Sequence, residues 1–328
     1  MRTLVTGAAG VIGFELVRRL LERGGDVLAL DQGRKGGLED LERLRERHPG
    51  SLSLVRAELG TEILREHARG PFDAVAHLAA IVGVRYVCDH PYETLSVNVR
   101  STLDVCDHAL REGCKVFLFA SSSENYASGV DAGQVPVPTP EGVPLSIADI
   151  ALPRWSYAAS KIAGEAALFG AAPLGGFVPL VARFHNVYGP RMGPTHVIPE
   201  LIERCRRRAD PFPVFGPEQT RSFLYVDDAA RALCILLDAA LAGTAPGGVY
   251  NVGSPVETRI EDLARLVLEV CGHQGRIEAH PAPPGSVGRR VPDVSKLARL
   301  GFQPAVLLEE GVRACWEARK ASSEPPRR

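Results

Sequence analysis

No uncharged apolar run of membrane-spanning length occurs in the 328 residues; the best stretch, 231–241, carries Arg231 and Asp238. Strong charge of either sign is also missing. A formal net charge of -1 gives a nucleic acid or an anionic membrane little to attract, so neither is expected as a partner. The seven cysteines, at 88, 106, 114, 205, 234, 271 and 315, include no CxxC, and the nine histidines include no HExxH. A disulfide framework and a zinc site are disfavoured, no metal is expected, and reduced thiols point to the cytoplasm. An apolar opening, 3–14, imitates a secretory leader, but glycines at motif spacing break it and a charged helix follows, so it is expected to be structure. Lysine is scarce: among 38 basic residues only Lys35, Lys115, Lys161, Lys296 and Lys320 are not arginine.

What is present is an alternation of short apolar strands and amphipathic helices. Strands are expected at 2–5, 26–30, 51–55, 73–78, 116–119 and 177–182, with helices after each turn and long ones near 92–111 and 156–169. This pattern implies βαβ units and a parallel sheet covered on both faces, an α/β class of the doubly wound, Rossmann type. Beyond 183 the character changes. Six prolines between Pro190 and Pro217 suggest irregular structure around a helix over 197–208, and further helices are expected at 226–241, 260–271 and 307–320. Short strands are expected at 222–225 and 249–252, a flap over 127–154 and a disordered tail over 321–328.

Three local patterns carry chemistry. Thr6-Gly7-Ala8-Ala9-Gly10-Val11-Ile12-Gly13 joins the first strand to a helix. Glycines there let the backbone approach a pyrophosphate seated on free helix N–H groups, and Gly7, Gly10, Val11, Ile12 and Gly13 are the candidates. Asp31, about 20 positions on, is placed to accept hydrogen bonds from the adenosine ribose and to repel a 2′-phosphate, favouring NAD over NADP; Arg34 and Lys35 keep NADP open. In Tyr157-Ala158-Ala159-Ser160-Lys161 a phenol and an ammonium share one helix face. A free tyrosine, of pKa about 10, is a poor base at neutral pH, and a cation beside it favours the phenolate.

With these residues the chain resembles the extended short-chain dehydrogenase/reductase superfamily, within it the nucleotide-sugar-modifying enzymes. His77-Leu78-Ala79-Ala80, Asn98, Arg183 to Pro190, Gln219 to Phe223 and Arg290-Val291-Pro292-Asp293 resemble further signatures in the same order. The resemblance implies a Rossmann-type NAD domain over 1–182 and a smaller, mainly substrate-binding lobe over 183–320, with segments returning to the sheet. It implies a homodimer through the helices near 92–111 and 156–169, and a nucleotide sugar, most readily a UDP-sugar, as the partner in solution. Ser122 should polarise the sugar C4 hydroxyl, Tyr157 remove its proton, and Lys161 lower the tyrosine's pKa and hold the nicotinamide ribose. Leu78, Ala79, Ala80, Asn98 and Phe184 join the cofactor set. Arg85, Asn186, Arg191, Arg221 and Arg290 are assigned to the substrate, as guanidinium forks suit phosphate and carboxylate. One departure stands after the third strand: where the family places Asp before a small apolar residue to read adenine, this chain has Glu58-Leu59.

Glu124 separates the reactions. Ser122-Ser123-Glu124 is similar to the run in UDP-glucuronate decarboxylases and GDP-mannose 4,6-dehydratases, and Tyr188 to Met192 also looks like the decarboxylases. Oxidation at C4 of a uronate makes a β-keto acid that loses carbon dioxide; Glu124 and Arg290 would then serve the proton step. In a dehydratase Glu124 would take the C5 proton instead. Decarboxylation of UDP-glucuronate is the expectation, with a dehydratase, an epimerase or a catalytically silent NAD(H)-binding sensor as alternatives.

Overall fold

A computed structural model describes residues 1–34, 36–283 and 286–321; Lys35 and the expected tail beyond 321 lie outside them. Six strands, β1 (Arg2–Thr6), β2 (Asp26–Asp31), β3 (Leu52–Arg56), β4 (Phe72–His77), β5 (Cys114–Ser122) and β6 (Val178–Phe184), build one sheet with the strand Gly248–Val252. Their order is Gly248–Val252, β6, β5, β4, β1, β2, β3, and every pairing is parallel. The register aligns the C-terminal ends. Thr6 faces His77, and Ser122 faces Phe184, which faces Val252. Ligands bind outside that edge in open α/β sheets.

The helices follow as α1 (Val11–Glu22), α2 (Leu38–Arg47), α3 (Thr61–His67), α4 (Val84–Asp89), α5 (Pro91–Glu112), α6 (Ala127–Asp131), α7 (Trp155–Gly175), α8 (Val197–Arg206), α9 (Val226–Leu241) and α10 (Ile260–Cys271). Strand side chains alternate between faces, so the sheet separates two cores. Val5 packs with Leu16 of α1 and Leu233 of α9; Leu4 packs with Val105 of α5 and Leu168 of α7. A third core joins Ile198 and Leu201 of α8 to Leu263 and Val267 of α10, with Phe212 and Val312.

The structure adds to expectation in three places. Of the strand expected at 222–225 only Leu224–Tyr225 forms, and a separate strand, Thr220–Arg221, precedes it in a different sheet. Thr220–Arg221 pairs with Arg289–Arg290 and Thr258–Arg259, whereas Leu224–Tyr225 pairs with Val187–Tyr188. The stretch expected to be irregular holds a strand, Phe212–Phe215, paired in parallel with Ile277–His280. The flap begins with the short helix α6, and Thr139 anchors its middle, its N–H bonded to Val291 O (2.9 Å) and its carbonyl accepting from Asp293 N (2.9 Å).

Candidate active site

The glycine turn brings three strands together. Gly7 has φ +71°, and a Cβ there would lie 2.5 Å from the backbone N of Ala79, so only glycine lets β1 pass the half-buried Leu78–Ala80 segment. Gly13 is packed against the carbonyl of Gly7. No side chain caps Gly10 at the start of α1, which leaves the N–H groups of Val11, Ile12 and Gly13 aimed out of the helix as a seat for an anion. Asp31 ends β2 with its oxygens accepting from Ala9 N (3.0 Å) and Gly33 N (2.7 Å). A carboxylate fixed beside a glycine cradle fits a ribose diol and repels a 2′-phosphate. Arg34, the residue that kept NADP open, is drawn off to Glu93 (2.9 Å) and the Tyr86 hydroxyl (3.4 Å). Glu58 is exposed and Leu59 packs against the α5 side of the sheet.

Two residues of the family-like signatures, His77 and Asn98, tie neighbouring elements together. His77 is buried and bridges Thr6 Oγ1 (2.7 Å) to Thr102 Oγ1 (3.1 Å); burial depresses its pKa to about 3, so it stays neutral. Asn98 is only 2% exposed, and its amide is spent on Ile81 N (2.7 Å), Ile81 O (3.1 Å) and Ser160 Oγ (3.2 Å). These bonds clamp the loop after β4, where the cofactor set is expected, to α7.

The catalytic corner forms where β5 meets α7. Ser122 ends β5, its Oγ accepting from Glu124 N (3.2 Å) and bonding Tyr157. Lys161 lies one turn beyond Tyr157, 5.8 Å from the phenol ring, with Nζ donating to Ala120 O (2.7 Å). α7 reaches this depth because Gly164 packs directly on the Phe119 ring. Lys161 stands beside the phenol as the expected support of a phenolate requires, but burial works against that state. Burial raises Tyr157 above its ordinary value, the Ser122 hydrogen bond opposes this and the Glu124 charge adds to it. Burial likewise pulls Lys161 down to about 7, opposed by Glu165. The phenolate therefore needs further positive charge, which an oxidised nicotinamide ring carries.

Glu124 faces two guanidiniums: Arg290 Nη1 at 2.8 Å and Arg154 Nη2 at 3.5 Å. Burial works to raise its pKa, but the two arginines outweigh that and hold it below the carboxylate range. Arg290 is registered directly across from Arg221, whose pKa falls to about 10 through burial and the neighbouring Arg290. Arg221 donates to the carbonyls of Thr220 (2.8 Å) and Gly288 (3.3 Å), and the buried Nε of Arg290 has no partner among the described residues. Asn186 adopts φ +40° and donates to Ser222 O (2.9 Å), tying β6 to the Arg221 strand. Two expected substrate residues lie elsewhere. The Arg85 side chain is 90% exposed and pairs with Asp89, its neighbour one turn along α4. Arg191 stacks on Phe14 (4.1 Å), pairs with Asp40 and reaches Ala9 O (3.4 Å), which places it against the glycine turn. Arg154 was missed; a cation three residues before Tyr157, at the start of the same helix, was the available signal.

Residues 3–253 match the NAD dependent epimerase/dehydratase family. A UDP-N-acetyl-α-D-glucosaminuronate decarboxylase of Bacillus cytotoxicus is 32% identical over 95% of this chain and 95% of its own length. A dTDP-glucose 4,6-dehydratase of Actinoplanes sp. is 33% identical, again over 95% of each. The crystal structure of a UDP-glucose 4-epimerase with UDP-glucose from Thermotoga maritima, 28% identical, covers 98% of this chain and 99% of its own with a TM-score of 0.83. A dinucleotide cradle, a Ser-Tyr-Lys corner and an arginine-rich rim on one sheet edge agree with those matches: the chain belongs to the NAD dependent epimerase/dehydratase family of extended short-chain dehydrogenase/reductases, an enzyme of nucleotide sugars with NAD as its cofactor.

Proposed function

We propose that the chain decarboxylates UDP-glucuronate. The observation that carries this reading is the ionised Glu124 held between Arg290 and Arg154 beside Tyr157. A 4,6-dehydration begins by pulling a proton from carbon, and a carboxylate whose proton affinity two guanidiniums have lowered is a weak base for that step. Loss of carbon dioxide asks for no such base. It asks for a ketone β to the carboxylate, charge stabilisation, and a proton returned to C5.

Tyr157 takes the C4 hydroxyl proton and Ser122 orients that hydroxyl, while NAD supplies hydride acceptance at C4 and hydride return afterwards. The C5–carboxylate bond then breaks, its electron pair passes into the C4 carbonyl as an enolate, and carbon dioxide leaves. Tyr157 and Ser122 donate to the enolate oxygen. Glu124 and Arg290 hold the water that protonates C5, and Arg221 takes the diphosphate. Asp31 and the start of α1 retain the dinucleotide through both hydride steps.

The test is mass spectrometry after incubation with UDP-glucuronate, UDP-glucose and dTDP-glucose. Loss of carbon dioxide from UDP-glucuronate is expected. Loss of water from dTDP-glucose, or a C4 epimer of UDP-glucose at unchanged mass, with UDP-glucuronate intact, overturns the proposal.

A further inference from the structure

Behind the catalytic corner lies a buried charge pair that contacts neither cradle nor rim. Glu165 of α7 and Arg183 of β6 have side chains only 6% and 5% exposed. Arg183 donates to Glu165 through Nε (2.8 Å) and Nη2 (2.5 Å), and its Nη1 reaches the Tyr126 hydroxyl (2.7 Å). The same carboxylate accepts from Ser121 Oγ (2.5 Å) and Asn125 Nδ2 (2.9 Å). A buried ion pair is weak evidence of stability, since desolvating two charges offsets most of their attraction. What distinguishes this one is its neighbours. Ser121 adjoins Ser122, Asn125 adjoins Glu124, and Glu165 lies one turn beyond Lys161, itself bonded to the carbonyl preceding Ser121.

We propose that Glu165 is a positioning residue for the hydride-transfer chemistry, setting Ser122 and Glu124 through their chain neighbours and keeping positive charge on Lys161. Its carboxylate is taken up by Ser121, Asn125 and Arg183 and acts on the corner through them. The groups around Lys161 make the second half of its task plain. Tyr157 and Glu165 lie on its own helix, neutral His77 on β4, the Ala120 carbonyl on β5, Glu124 beyond β5 and Arg183 on β6; the adjoining face of α5 offers the uncharged Asn98. Of the two carboxylates, Glu165 is the one that opposes the burial of the lysine, whose pKa even so falls to about 7. Without that charge the ammonium that supports the phenolate is lost at neutral pH.

The scarcity of lysine supplies the readout. With NAD at saturation, the ε-carbon signals of ¹³C-lysine-labelled protein give five resonances, and Lys161→Arg identifies its own. In Glu165→Gln the Lys161 titration midpoint is expected to fall by about one pH unit or more, and the alkaline limb of turnover to move down with it. Where the single variant leaves Arg183 unmatched and fails to fold, Glu165→Gln with Arg183→Met removes both charges; loss of the Arg183 cation offsets part of the effect, so a smaller fall in the same direction is expected. Ser121→Ala, which leaves every charge in place, should lower kcat severalfold and leave the midpoint unmoved. An unmoved Lys161 midpoint in the Glu165 variants, or full kcat in Ser121→Ala, overturns the proposal. A shifted midpoint in an enzyme that releases no carbon dioxide would sink the UDP-glucuronate reading and leave this one standing.

Discussion

Tyr157 and Lys161 share one burial and are driven by it toward the same state, neutrality, from opposite sides. The phenolate is therefore a property of the loaded site. Tyr157→Phe is expected to cost roughly 10²–10⁴ in turnover, the range for losing a positioned base, while NAD stoichiometry in the purified protein stays at the wild-type value. Arg154→Gln removes one of two cations from Glu124; a hydrogen bond to a charged group contributes about 1.5–3 kcal/mol, so kcat/KM for UDP-glucuronate should fall about tenfold or more in steady-state assays. At this scale the sequence was informative where chemistry imposes spacing: Ser122, Glu124, Tyr157, Lys161, Arg221 and Arg290 were all singled out, and folding brings them to one corner. It was silent where only tertiary packing decides where a long side chain goes, as with Arg191 on Phe14 and Arg85 along α4.

Helix α7 carries Tyr157 and Lys161 on one flank and rests against the sheet through Gly164. Gly164→Ala puts a methyl into the Phe119 ring. Overpacking costs about 1–3 kcal/mol, so the variant should show a lowered thermal midpoint together with a reduced kcat, because the helix can relieve the clash only by moving its catalytic face. The seven sheet strands and their helices were legible because alternation and 3.6-residue periodicity are local signals. The pairs Phe212–Phe215 with Ile277–His280 and Thr220–Arg221 with Arg289–Arg290 were not. Each is a strand of two to four residues that exists only because a partner more than sixty residues away completes its hydrogen bonds. That second pair is the one that sets Arg290 beside Arg221, so the substrate rim was named in sequence without its geometry being visible there.

For the molecule as a whole, three histidines are buried neutral: burial holds His77 and His185 at about 3 and His108 at about 4. Their folded pKa values are depressed, so below pH 6.5 the unfolded chain binds more protons and stability falls as pH falls, by about 1.4 kcal/mol per pH unit for each. Urea midpoints should drop between pH 7.5 and pH 5.5, and equal midpoints would contradict this. Tyr92, Leu95 and Leu103 of α5 and Phe169 of α7 are exposed apolar residues on adjacent helices. We propose that a second copy covers them; sedimentation should give a dimer, and Leu103→Glu with Phe169→Glu should yield a monomer.

The division of the interior by one continuous sheet bears on how damage spreads. A void opened under α1 by Leu16→Ala and another under α7 by Leu168→Ala face opposite sides of the same wall and share no lining residue. Their penalties should sum with no cross-term, as for independent sites. Only the α7 void lies against the element that bears the reacting phenol. Equal losses in folding free energy should then yield unequal losses in catalysis, so that a library of core variants sorts by face into silent and crippled members.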